Sequence, residues 1–189
     1  MSLLTTASQT VGPFVAISFD NSIADDLAAP GVSGTRVTLR GRIVDGDGAP
    51  VSDAAIETWQ ANVHGRYAHP DDFQEKPVEE SFTGFGRVMT DLRGEFRLAT
   101  IKPGSTPGPG DVPQAPHLVV LVFMRGLLKH LATRVYFPGE PSNADDPVLK
   151  LVPPERRATL IARNIAAEPG VLEWNVILQG KEETVFFDY

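Results

Sequence analysis

The sequence predicts a mainly β protein: an antiparallel β-sandwich with long loops, one short helix and an N-terminal arm. Three observations carry this. Seventeen glycines and 16 prolines are dispersed as punctuation, with no low-complexity tract, and that pattern belongs to many short strands joined by turns. Apolar and polar residues alternate over strand-length segments, as in Val37, Leu39 and Ile43 against Arg36, Thr38, Arg40 and Arg42. The length, 189 residues, suits one domain, and a chain of this size buries roughly 70% of its unfolded surface without needing crosslinks.

The elements follow in order. Residues 1–30 or so read as an arm and interface loop attached to a single domain spanning 1–189. The strand around Val37–Ile43 ends in "DGDGAPV", a turn of residues tolerant of positive φ. Ala54 to Ala61 resumes as a strand carrying Trp59. "GRVMTDLRGEFRLATI" is a strand, a turn at "DLRG" and a second strand with Phe96 and Leu98 on one face. Lys102 to Pro116 is a Pro/Gly-rich loop, longer than a hairpin needs, and loops of that length are usually functional or interfacial. Leu118 to Met124 is apolar on both faces, as a central strand would be, and Thr133 to Phe137 is short and β-rich. Pro154 opens the one expected helix. "LEWNVILQGKEETVFFDY" reads as two strands joined at "QGKE".

Composition excludes several functions. Seventeen basic against 24 acidic residues leave a charge of −7, and no Lys/Arg cluster supplies the basic face that nucleic acid requires. There is no cysteine, hence no disulfide, thiolate metal site or cysteine nucleophile. The start lacks a secretory signal and no apolar run reaches membrane-spanning length, so a cytoplasmic protein without membrane attachment is expected. His64, His69, His117 and His130 show neither H-x-H nor H-x3-H spacing. "GFGRVM" lacks the third glycine and helix context of a dinucleotide fingerprint. Asp71–Asp72 and Asp145–Asp146 read as solvated loop residues. Composition and spacing alone stop at a soluble β-sandwich.

Longer motifs go further. "VDGDGAPVSDAAIETWQANVHGRYAH", "GFGRVMTDLRGEFRLATIKPG", "APHLVVLVF" and "LQGKEETVFFDY", in this order and nearly end to end, resemble the intradiol ring-cleaving dioxygenases. The opening "SQTVGPFVAISF" resembles the alpha chains of that family's heteromeric members. The resemblance implies chemistry at a non-heme ferric ion held by two tyrosinates and two histidines. Phenolates balance a hard, highly charged metal, and a chelated catechol becomes reactive toward O2, its ring opening between the hydroxylated carbons.

Carried across residue by residue, the ligand set is incomplete. Tyr67, in "GRY", matches the first tyrosine, but Thr106 stands at the second. His117 matches the first histidine and Val119 stands at the other. Gln114 replaces an arginine three residues before that first histidine. Two of four donors survive, so the resemblance implies no catalytic residue and no iron in this chain. Fe(III) is then bound by a homologous beta subunit in a hetero-oligomer of αβ units, which converts a carboxylated catechol to a carboxymuconate. This chain's share in that pocket is expected from Thr10, Gly12 and Pro13 of the "T-x-GP" loop and from Arg134. Gly12 lets backbone approach a ligand, Pro13 stiffens the turn, and Arg134 suits a carboxylate.

Alternative roles stand beside these. Arg134 also suits a salt bridge within the chain, and the "TVGP" loop suits an interface without substrate contact. Tyr67 and His117 suit structural roles, Trp59 core packing and Glu57 a fixed hydrogen-bond partnership. Phe186, Phe187 and Tyr189 read as packing or subunit contacts. At the level of the whole chain, two other readings remain open: a non-catalytic transthyretin-like binding module, and a self-sufficient catechol-type dioxygenase.

Overall fold

The computed structural model describes residues 4–12 and 14–188. Among the described residues nine strands form two facing sheets. In chain order they are β1 (Arg36–Val44), β2 (Ala55–Trp59), β3 (Phe85–Met89), β4 (Glu95–Ile101), β5 (His117–Phe123), β6 (Leu131–Tyr136), β7 (Arg163–Asn164), β8 (Val171–Glu173) and β9 (Val176–Ile177). One sheet runs β3-β2-β5-β6 and is antiparallel throughout. The other runs β4-β1-β8-β7, with β9 also on β1. There β1 pairs antiparallel with β4 but parallel with β8 and β9, so the expected antiparallel order gives way to a mixed sheet. The cause is connectivity: the chain leaves β6, crosses by a long segment and returns beside β1 in the same direction, and parallel neighbours require such a crossover.

The alternation read in the sequence is the alternation that fills the core. Leu39 and Ile43 of β1 and Phe96 and Leu98 of β4 meet Ile56, Val88, Leu118, Val120 and Val122 from the opposite sheet. The core tryptophan is Trp174, 3% exposed, and not Trp59, which sits half-buried on the outer face. The expected packing role for Trp59 thus belongs to another residue. Strand period explains the difference: Ile56 and Thr58 point inward, so Glu57 and Trp59 point out.

Turns reuse one device. Asp45 Oδ1 accepts from the backbone N–H groups of Asp47 and Ala49, and Asp91 Oδ1 accepts from those of Arg93 and Glu95. The second of these turns does not make a hairpin, because β3 and β4 belong to different sheets and the chain crosses between layers there.

The helix opened by Pro154 forms as 3-10 turns over Pro154–Leu160, burying Leu160. A short helix, α1 (Phe14–Phe19), also forms within the arm that was expected to lack one. It is tied to the sheet through Arg87, whose guanidinium lies 4.2 Å from the Phe19 ring centre and donates to Ser22 Oγ at 2.9 Å. Beyond "QGKE" the expected second strand is reduced to a single bridge, Phe187 N–H to Ala132 C=O at 2.8 Å, which covers the open edge of β6. Phe187 packs on a small second cluster of Ala115, Tyr136, Leu149, Val152 and Leu160, and Phe186 on the main core. Tyr189 lies outside the described residues. Among the described residues no helix is long and apolar enough to cross a membrane.

Gly41 shows how closely β8 and β9 approach β1. A Cβ there would stand 1.7 Å from the Trp174 carbonyl oxygen, and the Trp174 N–H donates to Arg40 C=O at 2.9 Å. Side chain and backbone cannot share that space. Gly41→Ala is expected to lower stability by roughly 3 kcal/mol or more, read as an earlier midpoint in denaturant unfolding.

Candidate functional site

The residues singled out in the sequence gather on the outer face of the β3-β2-β5-β6 sheet. Antiparallel register places Phe85, Trp59, Val119 and Arg134 side by side across the four strands, with His117 opposite Tyr136 at one end. Tyr67 reaches this face from the loop between β2 and β3 and stacks on Trp59, ring centres 5.9 Å apart and planes within 8°. The loop is held from inside: Asn62 Oδ1 takes the N–H groups of His64 and Arg66, Arg66 Nη1 donates to Lys76 C=O at 2.6 Å, and Asp72 Oδ2 accepts from Tyr67 N–H at 2.8 Å. Beyond the stacked pair lies a shallow cleft of about 600 Å³ bounded by His69, Phe73, Gln74 and Pro107.

Thr106 and Gln114 come from the Pro/Gly-rich loop, which closes on itself where they pair as an antiparallel bridge. Gln114 is held at several points: its N–H donates to Thr106 C=O at 2.8 Å and its Nε2 to Pro107 C=O at 2.6 Å, while its C=O accepts from Ser105 Oγ at 2.6 Å. Its Oε1 accepts from Arg134 Nη1 at 2.6 Å. Arg134 is also hydrogen-bonded with the Tyr136 hydroxyl.

Electrostatics follow from this packing. His117 is 3% exposed and its Nδ1 lies 2.7 Å from Ala115 C=O, an arrangement that puts the proton on Nδ1. Burial, reinforced by the Arg134 charge, lowers its pKa to about 4, against the opposing Ala115 bond and Asp146 charge. Burial also pushes the Tyr67 phenol up, outweighing its hydrogen bond with Thr106 and the attraction of Arg134. Tyr136 moves upward too, first through burial and then through Asp146.

Asp146 corrects the sequence reading. Its neighbour Asp145 is exposed, as are Asp71 and Asp91, but Asp146 is 0% exposed. Its carboxylate accepts from Ala115 N–H at 2.8 Å, Tyr136 Oη at 3.0 Å, Val148 N–H at 2.9 Å and Leu149 N–H at 2.7 Å. Nor is Asp72 idle, since it holds Tyr67 and Gln74. The signal for Asp146 was present: Asp followed by Pro147 favours a turn in which the carboxylate takes the backbone N–H two residues on, here that of Val148. Glu57 behaves as expected, taking Arg87 Nη2 at 2.6 Å and Nε at 2.9 Å.

The arm residues lie elsewhere on the same sheet. Thr10 Oγ1 accepts from Gly126 N–H at 2.7 Å, which anchors the arm on the β5–β6 connection. Val11 and Gln9 border a cleft of about 470 Å³ there, with Met124, Leu128, His130 and Phe187. Gly12 is exposed, and Pro13 lies outside the described residues. Thr10 and Arg134 are therefore fixed by different partners, Gly126 and Gln114.

The four remnant ligand positions, Tyr67, Thr106, His117 and Val119, do not fit a ferric ion. Thr106 offers a neutral hydroxyl and Val119 no donor atom. Arg134 adds a fixed positive charge among them. Among the described residues no group of three or more His, Cys, Asp or Glu side chains is placed to hold a metal.

The β-sandwich with a tyrosine from a covering loop and a histidine at a strand start, both turned to one outer face, is the arrangement that the resemblance to ring-cleaving dioxygenases implied. The comparisons agree. The family model for dioxygenases matches residues 18–180. The protocatechuate 3,4-dioxygenase alpha chain of Burkholderia cepacia is 44% identical over 198 residues, covering 97% of this chain and 96% of that one. The beta chain of the same organism's enzyme is 38% identical over 159 residues, covering 80% and 67%. Among solved structures, the dioxygenase domain of a dioxygenase–carbohydrate-binding protein fusion from Streptomyces sp. SirexAA-E superposes with a TM-score of 0.63 at 26% identity, covering 86% and 89%. The chain belongs to the dioxygenase family, among its intradiol ring-cleaving members.

The buried histidine gives the chain a pH dependence. Unfolded, His117 takes up a proton near its ordinary value of 6.5; folded, it does so only near 4. As pH falls through that window the unfolded state gains a proton that the folded state refuses. Stability therefore declines between the two values, by about 3 kcal/mol from this group. In His117→Gln this decline is expected to be shallower than in the unmodified chain, measured by denaturant unfolding at pH 7 and pH 4.5.

Proposed function

We propose that this chain is the alpha subunit of a heteromeric protocatechuate 3,4-dioxygenase, working with a homologous beta subunit that carries the Fe(III). The observation that carries the reading is the donor set: Tyr67 and His117 remain, Thr106 and Val119 do not, and the site they lined has become a hydrogen-bonded network. Support comes from the likeness to an alpha chain over nearly the full length of both, and from a weaker likeness to the matching beta chain. A cytoplasmic location belongs to the same proposal.

Bound in the partner, the metal supplies activation of the chelated catechol toward O2. This chain's residues do the surrounding work. Thr10 and Gly12 line one wall of the pocket, Thr10 held by the bond from Gly126 to its hydroxyl; Pro13, outside the described residues, is assigned to the same wall from the sequence alone. Gly12 offers bare backbone to the substrate, and a fixed wall keeps water from the reacting ring. Arg134 is left out of this wall, because its Nη1 donates to Gln114 Oε1 at 2.6 Å within this chain's own site. The reaction joins both atoms of O2 to the ring and releases 3-carboxy-cis,cis-muconate.

Two measurements test this. Expressed alone, the chain is expected to be colourless and iron-free; co-expressed with its beta partner it yields a red-brown, active complex with iron on one chain of each pair. Stoichiometric iron in the lone chain would overturn the reading. Gly12→Ala adds a separate check. A Cβ at Gly12 meets nothing within 4 Å in this chain, so stability is expected to hold. In the complex KM for protocatechuate should rise roughly tenfold, because the added methyl intrudes where substrate is bound.

A further inference from the structure

We infer that the Arg134 guanidinium, tethered by Gln114, occupies the place and charge that a metal cation would need, so that this chain excludes iron by a resident cation as well as by its missing donors. The geometry runs from one lost donor position to the other. Arg134 leaves β6 directly opposite Val119, the second-histidine position, and cross-strand neighbours on one face stand about 5 Å apart at Cβ. It ends at Gln114, with Nη1 2.6 Å from Oε1. Gln114 in turn is paired to Thr106, the second-tyrosine position, through N–H to C=O bonds of 2.8 and 3.3 Å, and its Nε2 lies 3.5 Å from Thr106 Oγ1. The side chain therefore spans the gap between the two vacated positions.

The two surviving donors border the same gap. His117 lies two residues before Val119 on the same strand face, and Tyr67 is hydrogen-bonded with Thr106. Burial fixes the arrangement: Thr106 is 4% exposed and His117 3%. A guanidinium keeps its charge at any pH the fold survives. A trivalent cation introduced among these four positions would meet that charge at close range in a poorly solvated setting, where repulsion is far less screened than in water. The tether also supplies what a free lysine would lack, a planar fork held at a defined spot. This inference concerns the chain's own site and does not rest on the partner-subunit proposal.

The test rebuilds the donors in the full-length chain and asks whether that suffices. T106Y/V119H restores a tyrosine and a histidine; the same pair is then combined with Arg134→Met, with Arg134→Lys and with Gln114→Ala. Iron per chain after ferrous loading in air and the tyrosinate-to-iron absorption band are the readouts, with circular dichroism and a single melting transition confirming the fold. The double variant is expected to remain nearly iron-free and colourless. Adding Arg134→Met should tighten iron binding by about tenfold or more, and adding Arg134→Lys, which keeps the charge, should not. Equal binding by the double variant and its Arg134→Met form overturns the inference. So does equal binding by the Met and Lys forms, or failure of every folded form to bind. If the Arg134→Met form does not fold, Gln114→Ala carries the test: releasing the tether should raise iron uptake above the double variant, and no rise overturns the inference.

Discussion

One buried carboxylate holds the site side of this molecule together. Asp146 gathers two backbone N–H groups of its own turn, one from Ala115 and the Tyr136 hydroxyl. Bonds to a charged acceptor are worth about 1.5–3 kcal/mol each when buried, and each donor would otherwise be stranded. Through Ala115 the carboxylate fixes the entrance to β5, and Ala115 in turn offers its carbonyl to His117 Nδ1. Through Tyr136 it fixes the end of β6, so the ring packed against His117 is also set, with centres 5.6 Å apart. Gln114, one residue before Ala115, then arrives where it can meet Arg134. The remnant site is ordered because the elements that carry it are held by this carboxylate.

How much of this was legible depends on the range of the interaction. Strand positions follow local alternation, so Leu39, Ile43, Phe96 and Leu98 were read correctly as core. Which strands pair is a long-range matter, and nothing in "DLRG" reveals that the chain changes sheets there or that β8 and β9 return parallel to β1. The remnant ligands were visible as single positions in long motifs. Their new partners were not. Asp146 looked solvated beside Asp145 because charge in a loop is usually solvated, and only the three-dimensional packing separates the two. Trp59 was misplaced for a similar reason: a large aromatic at a strand end suits either face, and the loop bearing Tyr67, which makes the outer face hospitable, lies far along the chain.

The network also balances charge around the two buried rings of the site. Many metal sites are coupled to folding because their ligands repel or go unpaired when empty. Here Arg134 and Asp146 act on the same two rings with opposite sign. For His117 the arginine lowers proton affinity and the aspartate raises it; for Tyr136 the aspartate raises and the arginine lowers. A cation and an anion are thus retained around neutral rings, and the balance is internal to the chain.

That balance makes positions 114 and 134 a pair. The neutral amide of Gln114 can accept from a guanidinium, and its backbone is already spent on Thr106. An arginine at 114, as the resemblance to catalytic chains implies for them, would set a second guanidinium against the first with no acceptor between, and two like charges cannot share a half-buried site without one moving out. Glutamine at 114 and the placement of Arg134 therefore depend on each other. Reading the sequence position by position counts two lost ligands and one altered arginine; the folded chain joins them into a single substitution of an internal cation for a bound one.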